Sequence, residues 1–398
     1  MLHTTLGSTR LLAHPGDRRL WLLDRGTAAL WDLHAAGWAP APLAELLVQR
    51  FGLDPGAARD YLDTLHSQWH AAGLLAEAGT GDWRFAPAPC LPPLPPPAAT
   101  PLPPGAWRLR LGDGAVSLAI TDAQLSARLK PLLGPLMMPP SAPEPASHLE
   151  PSGDRLAVRG GASGWTLTGN GTALETGYGT DAALVATLHT LTELGCRTSE
   201  RLLVVHGGGL VAPDGRAFLL VAPGGSGKST LTAALNAAGY GLLSDDVVPV
   251  TPDGELVGLG LPLCLKPGSW PVLAGCRPDL AQAPTVQRLG QAVRFLPPCG
   301  RAATGLRAPA LFLFPRFRPG RAPRCEPLSP ARALQGIIEA EAVIRDLTQI
   351  KLEALARWVS KVPAYAISYP DLDQGLALVR DLLNDRDSHE YDAHGTSA

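Results

Sequence analysis

The run LLVVHGGGLVAPDGRAFLLVAPGGSGKSTLTAALNAAGYGLLSDDVVPV (202–250) places an apolar strand, a glycine-rich turn and a helix in immediate succession. LLV at 219–221 reads as a buried strand, APGGSGKST at 222–230 as the turn, and TLTAALNAAG as the helix that follows. This is the pattern of a phosphate-binding loop, with Ala222 where the first glycine usually stands. Gly224, Gly225 and Gly227 let backbone N–H groups crowd around an anion at the positive end of a helix, and Pro223 and Ser226 complete the turn. Lys228 is placed to reach β- and γ-phosphates, the Ser229 hydroxyl to ligate Mg²⁺, and Thr230 to assist at the α-phosphate. The expected ligand is therefore Mg-ATP.

Working outward, Gly239 closes the helix and residues 240–243 read as a strand ending in Ser244-Asp245-Asp246. Only 17 positions separate Lys228 from Asp245, so one helix and one strand return two carboxylates to the phosphates. One could bind the metal and another accept a proton from an attacking hydroxyl. Upstream, a strand at 202–205 ends at His206, and a second strand and the turn Pro213-Asp214-Gly215 lead into the loop's strand.

On these residues, 202–250 resembles the catalytic core of bacterial HPr kinase/phosphorylases and their relatives, among them kinases that tailor modified peptides. The resemblance implies an α/β fold with a core shared with phosphoenolpyruvate carboxykinases. It implies Asp245 as general base, His206 as its catalytic neighbour and Asp246 toward the metal. DGELVGLGLPLCLKPGSW (253–270) is similar to the family's following segment, which aligns Glu255 with a magnesium-assisting glutamate; its place beside Asp253-Gly254 equally fits an exposed turn. Lys266 is a candidate phosphate or substrate contact or else a solvated lysine, and Arg294 and Arg301 are candidate cations for the transferring group. Close similarity spans about fifty residues, and VPAYAISYPDLDQGLALVRDLL (362–383) resembles the family's closing strand and helix. The family's signature loop is not recognisable, and 106–200 does not look like its regulatory domain, so HPr as substrate and phosphorolytic reversal are not carried over. Family members are hexamers, which leaves a homo-oligomer open here.

The N-terminal stretch reads as strands at 4–12 and 19–23 about a Pro15-Gly16-Asp17 turn, then helices at 27–36, 42–51 and 55–72, the last capped by Asp54. Residues 74–75 could return as a short strand. This is a small winged-helix-like α+β unit. The run LLDRGTAALWDLHAAGWAPAPLAELLVQRFGLDPGAARDYLDTLHSQWHAAGLL (22–75) resembles PqqD-like peptide chaperones, the recognition elements of ribosomally made, modified peptides. That resemblance implies a precursor's leader peptide added as a strand beside 19–23, against the helix face of Tyr61, Leu65 and Trp69. The same aromatics also fit a plain core. Winged helices also bind DNA, but the third helix carries Asp54, Asp60 and Asp63 with the single Arg59 and no basic cluster.

The prolines of APAPCLPPLPPPAATPLPPG divide the chain into a unit at 1–85, a semi-stiff linker at 86–105 and a kinase domain at 106–383. In the last, strands are expected at 107–111, 116–120, 156–158 and 165–168, a loop at 137–147 and a helix at 181–195. The polar stretch 384–398 is expected to be a disordered tail. The 398 residues carry 34 basic and 36 acidic side chains, a net charge of −2, which argues against a dedicated nucleic-acid binder. No apolar run approaches the roughly 18 residues of a membrane helix, and the start lacks a signal-peptide core, so the expected location is the cytoplasm. Six cysteines without a C-x-x-C pair exclude a familiar zinc or redox framework. Together these readings predict an ATP-dependent kinase acting on a serine or threonine hydroxyl of a captured peptide or small protein. A nucleotide-dependent peptide chaperone without transfer and a small-molecule kinase are the alternatives.

Overall fold

A computed structural model describes residues 1–14, 19–71, 94–97, 104–139, 153–161, 163–197, 201–300 and 302–393. The expected turn at 15–17, the short strand at 74–75, Arg301 and most of the loop at 137–147 lie outside these residues.

The N-terminal stretch forms a three-stranded antiparallel sheet of β1 (Leu2–Leu6), β2 (Thr9–His14) and β3 (Arg19–Leu23), in the order β1-β2-β3. The single strand expected at 4–12 is two, because Gly7 takes a left-handed φ of 60° and reverses the chain. Three helices follow: α1 (Arg25–Ala35), α2 (Pro40–Phe51) and α3 (Pro55–Ala71). Asp24 caps α1 by accepting from the Thr27 amide, and Asp54 caps α3 by accepting from Gly56 and Ala57. Leu12 and Leu23 of the sheet pack with Leu30, Trp31, Leu43, Leu47, Leu62, Leu65 and Trp69 of the helices.

A second sheet is built from β4 (Trp107–Leu111), β5 (Gly114–Ile120), β6 (Arg155–Gly161), β7 (Gly164–Gly169) and β8 (Thr172–Gly177), in that order. It packs on α4 (Ala123–Leu133), which begins at the Asp122 cap and buries Leu125, Leu129, Leu132 and Leu133, and on α5 (Thr180–Cys196). Part of the proline-rich segment belongs to this unit. Leu94 is buried in its core, and the Pro95 carbonyl accepts from Asn170 Nδ2 at 2.8 Å.

The remaining elements form the centre. They are β9 (Leu203–Val205), β10 (Gly207–Val211), β11 (Ala217–Val221), α6 (Lys228–Ala237), β12 (Gly241–Ser244), β13 (Val248–Val250), β14 (Leu256–Gly258) and β15 (Leu263–Leu265). After these come α7 (Trp270–Leu273), β16 (Thr285–Arg288), β17 (Gln291–Leu296), β18 (Gly305–Arg307), β19 (Pro309–Phe317) and β20 (Arg324–Leu328). The chain closes with α8 (Pro330–Glu339), α9 (Gln349–Lys361), β21 (Ala364–Tyr369) and α10 (Leu372–Ala393). The main sheet has the order β12-β10-β11-β19-β21-β20, with β11, β19 and β21 parallel. AFLLV of β11 is apolar throughout because both its faces are covered. Phe218 and Leu220 face α6 and α10, while Leu219 and Val221 share a core with α8 and α9. Two smaller sheets, β18-β14-β13-β9 and β15-β17-β16, flank it.

The N-terminal unit is docked on this centre rather than tethered to it by the proline-rich segment alone. Leu6, Leu11, Ala13 and Leu20 on the second face of its sheet enter the core of α8 and α9, and the backbone of His3 exchanges two hydrogen bonds with the side-chain amide of Gln349 of α9. At the other end, α10 continues to Ala393, ten residues into the stretch expected to be disordered. Beyond Gly375 that stretch holds no proline or glycine until Gly395, so nothing in the backbone stops the helix earlier. Among the described residues no helix is long and apolar enough to cross a membrane.

Candidate active site

The glycine-rich turn joins β11 to α6 as its residue types demand. Gly225 and Gly227 adopt left-handed φ values of 79° and 89°, where a side chain would be strained, and Gly227 is the residue from which α6 starts. Lys228 opens the helix and is only 5% exposed. Among the described residues its Nζ approaches the Ala222 carbonyl, at a long 3.4 Å. Burial lowers the Lys228 pKa, the charge of Lys266 lowers it further, and Asp245, Asp246 and Glu341 oppose this. A buried ammonium so weakly satisfied by the protein is arranged for an anion.

Asp245 and Asp246 follow β12, which pairs with β10 beside the loop's strand. The two carboxylates have different environments. Asp245 is enclosed: Oδ2 accepts from the Cys264 amide at 3.4 Å, while Oδ1 is buried without a hydrogen-bond partner among the described residues. Burial and the Asp246 charge push its pKa up to about 6, against the pull of Lys228, the Cys264 amide and the nearby Ser229 hydroxyl. Asp246 adopts a left-handed φ of 76° that turns it toward His206, whose Nε2 lies 3.2 Å from Oδ1. Arg288 reaches Asp246 Oδ2 at 2.8 Å. Burial would raise Asp246, but the His206 hydrogen bond and the Arg288 guanidinium outweigh it and hold this carboxyl well below the usual range. One carboxylate is thus ionised and fully engaged, and the other titrates close to neutrality with a free oxygen.

Not every residue singled out from sequence gathers here. Ser229 and Lys266 lie close enough to Asp245 and Lys228 respectively to act on them electrostatically. Glu255 does not join them. It sits at the opposite end of the β13–β14 hairpin from Asp246, lining a groove with Asp253, Arg357, Trp358 and Lys361. The Asp253-Gly254 turn faces α9, where Trp358 Nε1 donates to the Gly254 carbonyl, and this carries Glu255 away from the loop. Arg294 is occupied in holding the β16–β17 region together. It donates to the Leu280 carbonyl and Thr285 Oγ1 and stacks over Trp270 at 4.1 Å.

Two residues are added by the structure. Arg288 ends β16, 42 residues beyond Asp246, at a Leu289-Gly290 hairpin turn. Glu341, in a left-handed conformation after α8, places Oε2 3.8 Å from His206 Nδ1. No local spacing announces either; only the strand pairing does. Arg288→Met should leave Asp246 partly buried without its cation. The melting temperature should fall relative to the parent, and the deficit should shrink as pH is lowered and Asp246 is protonated, measured by thermal unfolding across pH.

The donor set suits Mg²⁺ bound together with phosphates better than an all-protein metal cage. Among the described residues no group of three or more His, Cys, Asp or Glu could hold a metal. Magnesium beside phosphates needs only one or two protein oxygens and keeps its waters. Ser229 meets that requirement, which leaves the orphaned Asp245 Oδ1 free for a proton. Asp246, with both oxygens engaged, contributes through an intervening water or not at all. Next to the carboxylates a cleft opens, walled by Val185, Leu188 and Thr192 of α5 with Leu261 and Phe295 opposite.

In the N-terminal unit, β3 is, among the described residues, an outermost strand of its sheet, paired with β2 alone. Of the three helix residues named beside it, Leu65 and Trp69 are buried core and Tyr61 is exposed.

No protein-family model matches the chain, and no curated protein matches it. Among solved structures, the Hpr(Ser) kinase/phosphatase from Coxiella burnetii is similar over 49% of this chain and 99% of its own, at 14% identity and a TM-score of 0.28.

Proposed function

We propose that this chain is an ATP-dependent phosphotransferase that phosphorylates a serine or threonine hydroxyl of a peptide or small protein. The observation that carries the reading is the enclosed Asp245 carboxylate, raised to about 6 and with Oδ1 unpartnered, beside a buried Lys228 at a glycine-rich strand-to-helix turn. A carboxylate near neutrality is suited to general base work, and a preorganised lysine with loop amides to a charged phosphoryl group.

In this reading the acceptor enters from the Asp245 side. Its hydroxyl proton passes to Asp245, its oxygen forms the new bond to the γ-phosphorus, and the bond from that phosphorus to the bridging oxygen breaks, releasing ADP. Lys228 and the amides of 224–229 hold the phosphate oxygens throughout. Magnesium, when bound, supplies further neutralisation of phosphate charge. Arg288 and His206 keep Asp246 ionised and fixed, and that charge in turn raises Asp245.

We further propose that the N-terminal unit captures the substrate by strand addition at β3, with Tyr61 on the flank of the groove. The shared core of Leu6, Leu11, Ala13 and Leu20 with α8 and α9 makes deletion of 1–85 a poor test, since it would strip the centre as well. The full chain is therefore incubated with γ-labelled ATP and an arrayed library of serine- and threonine-containing peptides. Label on peptides supports the kinase reading, and label found only as free phosphate removes it. Tyr61→Asp should weaken labelling of long peptides and spare short ones; equal effects on both would remove the capture role.

A further inference from the structure

The main sheet gives the loop two unlike sides. β10 and β12 lie on one side of β11 and bring His206, Asp245 and Asp246 to it. β19 and β21 lie on the other, run parallel to β11, and so end at the same edge of the sheet as the loop. Their last residues are Phe317 and Tyr369.

These two aromatics adjoin the loop directly. A Cβ placed on Gly227 would lie 3.8 Å from Phe317 Cβ and 3.9 Å from the Tyr369 hydroxyl. The rings are 6.1 Å apart, but they differ in exposure: Tyr369 is buried at 3%, whereas Phe317 is 50% exposed. The Arg318 amide donates to the Tyr369 carbonyl at 2.8 Å, which anchors the chain just beyond the Phe317 ring. Arg316 near the end of β19 and Arg318 and Arg321 in the turn beyond it are exposed and make that edge positive in a chain whose net charge is −2. The reaction proposed above uses neither Phe317 nor these arginines.

We propose that the nucleoside of the bound nucleotide lies on the β19–β21 side of the loop, with its base stacked on Phe317. The inference rests on the nucleotide reading of the loop and extends it. A triphosphate is linear, and its γ end must face Asp245 for the acceptor to be deprotonated there. Its α end then points to the opposite side of β11, where the half-exposed ring and the cationic turn stand. A flat base gains from stacking on an aromatic face whatever its hydrogen-bonding edge, and the arginines suit the trailing phosphate.

The test is calorimetric titration of the full chain with two probes in the presence of Mg²⁺: ATP, and inorganic tripolyphosphate, which has the phosphates but no base. Phe317→Ala should weaken ATP by about 10-fold or more and leave tripolyphosphate unchanged, and Phe317→Trp should keep ATP affinity. Because Phe317 is half exposed, the alanine variant should retain the parental melting temperature. Equal weakening of both probes, or no change in either, overturns the placement of the base. If the parent binds neither probe, the nucleotide reading itself is wrong and the placement falls with it.

Discussion

Asp245→Asn is expected to bind Mg-ATP nearly as tightly as the parent and to transfer phosphate about 10²–10⁴-fold more slowly, the usual contribution of a general base. The amide keeps the shape of the side chain and cannot accept the hydroxyl proton. The parent should also show an acid limb, with transfer falling as pH drops through about 6, because below that value Asp245 is protonated. In the variant that limb should vanish from whatever rate remains. Stability should move the other way. The folded pKa of Asp245 lies above its ordinary value of 3.8, so the native state binds the extra proton between those values. Its contribution is favourable below that window and is lost as pH rises through about 6. At pH 7 the parent therefore encloses an unfavourable charge, and the asparagine variant should melt at a higher temperature. A slower but more stable enzyme is the signature of a functional carboxylate; a variant that transfers normally would remove Asp245 from the base role.

Lys228→Met should cost about 10²–10³-fold in transfer and should also weaken ATP and tripolyphosphate binding, since the lysine contacts phosphate in ground and transition states alike. Methionine replaces the buried stem, so thermal unfolding should show no loss of stability. Relief from burying an ammonium in a site that lowers its pKa should even raise the melting temperature slightly. There is a second consequence. Lys228 is one of the groups holding Asp245 down, so its removal should drive that carboxyl further up and shift the acid limb to higher pH. The two variants therefore act on one coupled unit, and the double variant should be less impaired than the product of the single effects. Independent, multiplying effects measured by single-turnover transfer would show that the two groups are not in one site.

Much of the site is readable because it is local. The strand, turn and helix of 217–237 follow from an apolar run, glycines at positions of positive φ and a capless helix start that leaves amides pointing outward. The acid pair is legible for the same reason, since a single helix and a single strand separate it from Lys228. Three helices in the N-terminal unit are legible from the Asp54 cap and the spacing of their apolar residues. Helix α4 is not among the elements expected from the sequence, though its Asp122 cap and four leucines carry the same signals.

What the chain's order could not disclose concerns charge and contact between distant segments. Glu255 aligned well along the sequence, yet the β13–β14 hairpin carries it to the far end, while Arg288 arrives from a hairpin 42 residues on. The roles of Asp245 and Asp246 are interchangeable as neighbours in a strand end. They become distinct only when Arg288 and His206 engage one and the Cys264 strand encloses the other. The N-terminal unit likewise reads as separate until one face of its sheet is found in the core beneath α9. Backbone conformation is decided within a few residues by sterics and capping, so it can be read in order. A pKa, an ion pair or a shared core depends on what burial brings within a few ångströms, and that is settled only when the strands have paired.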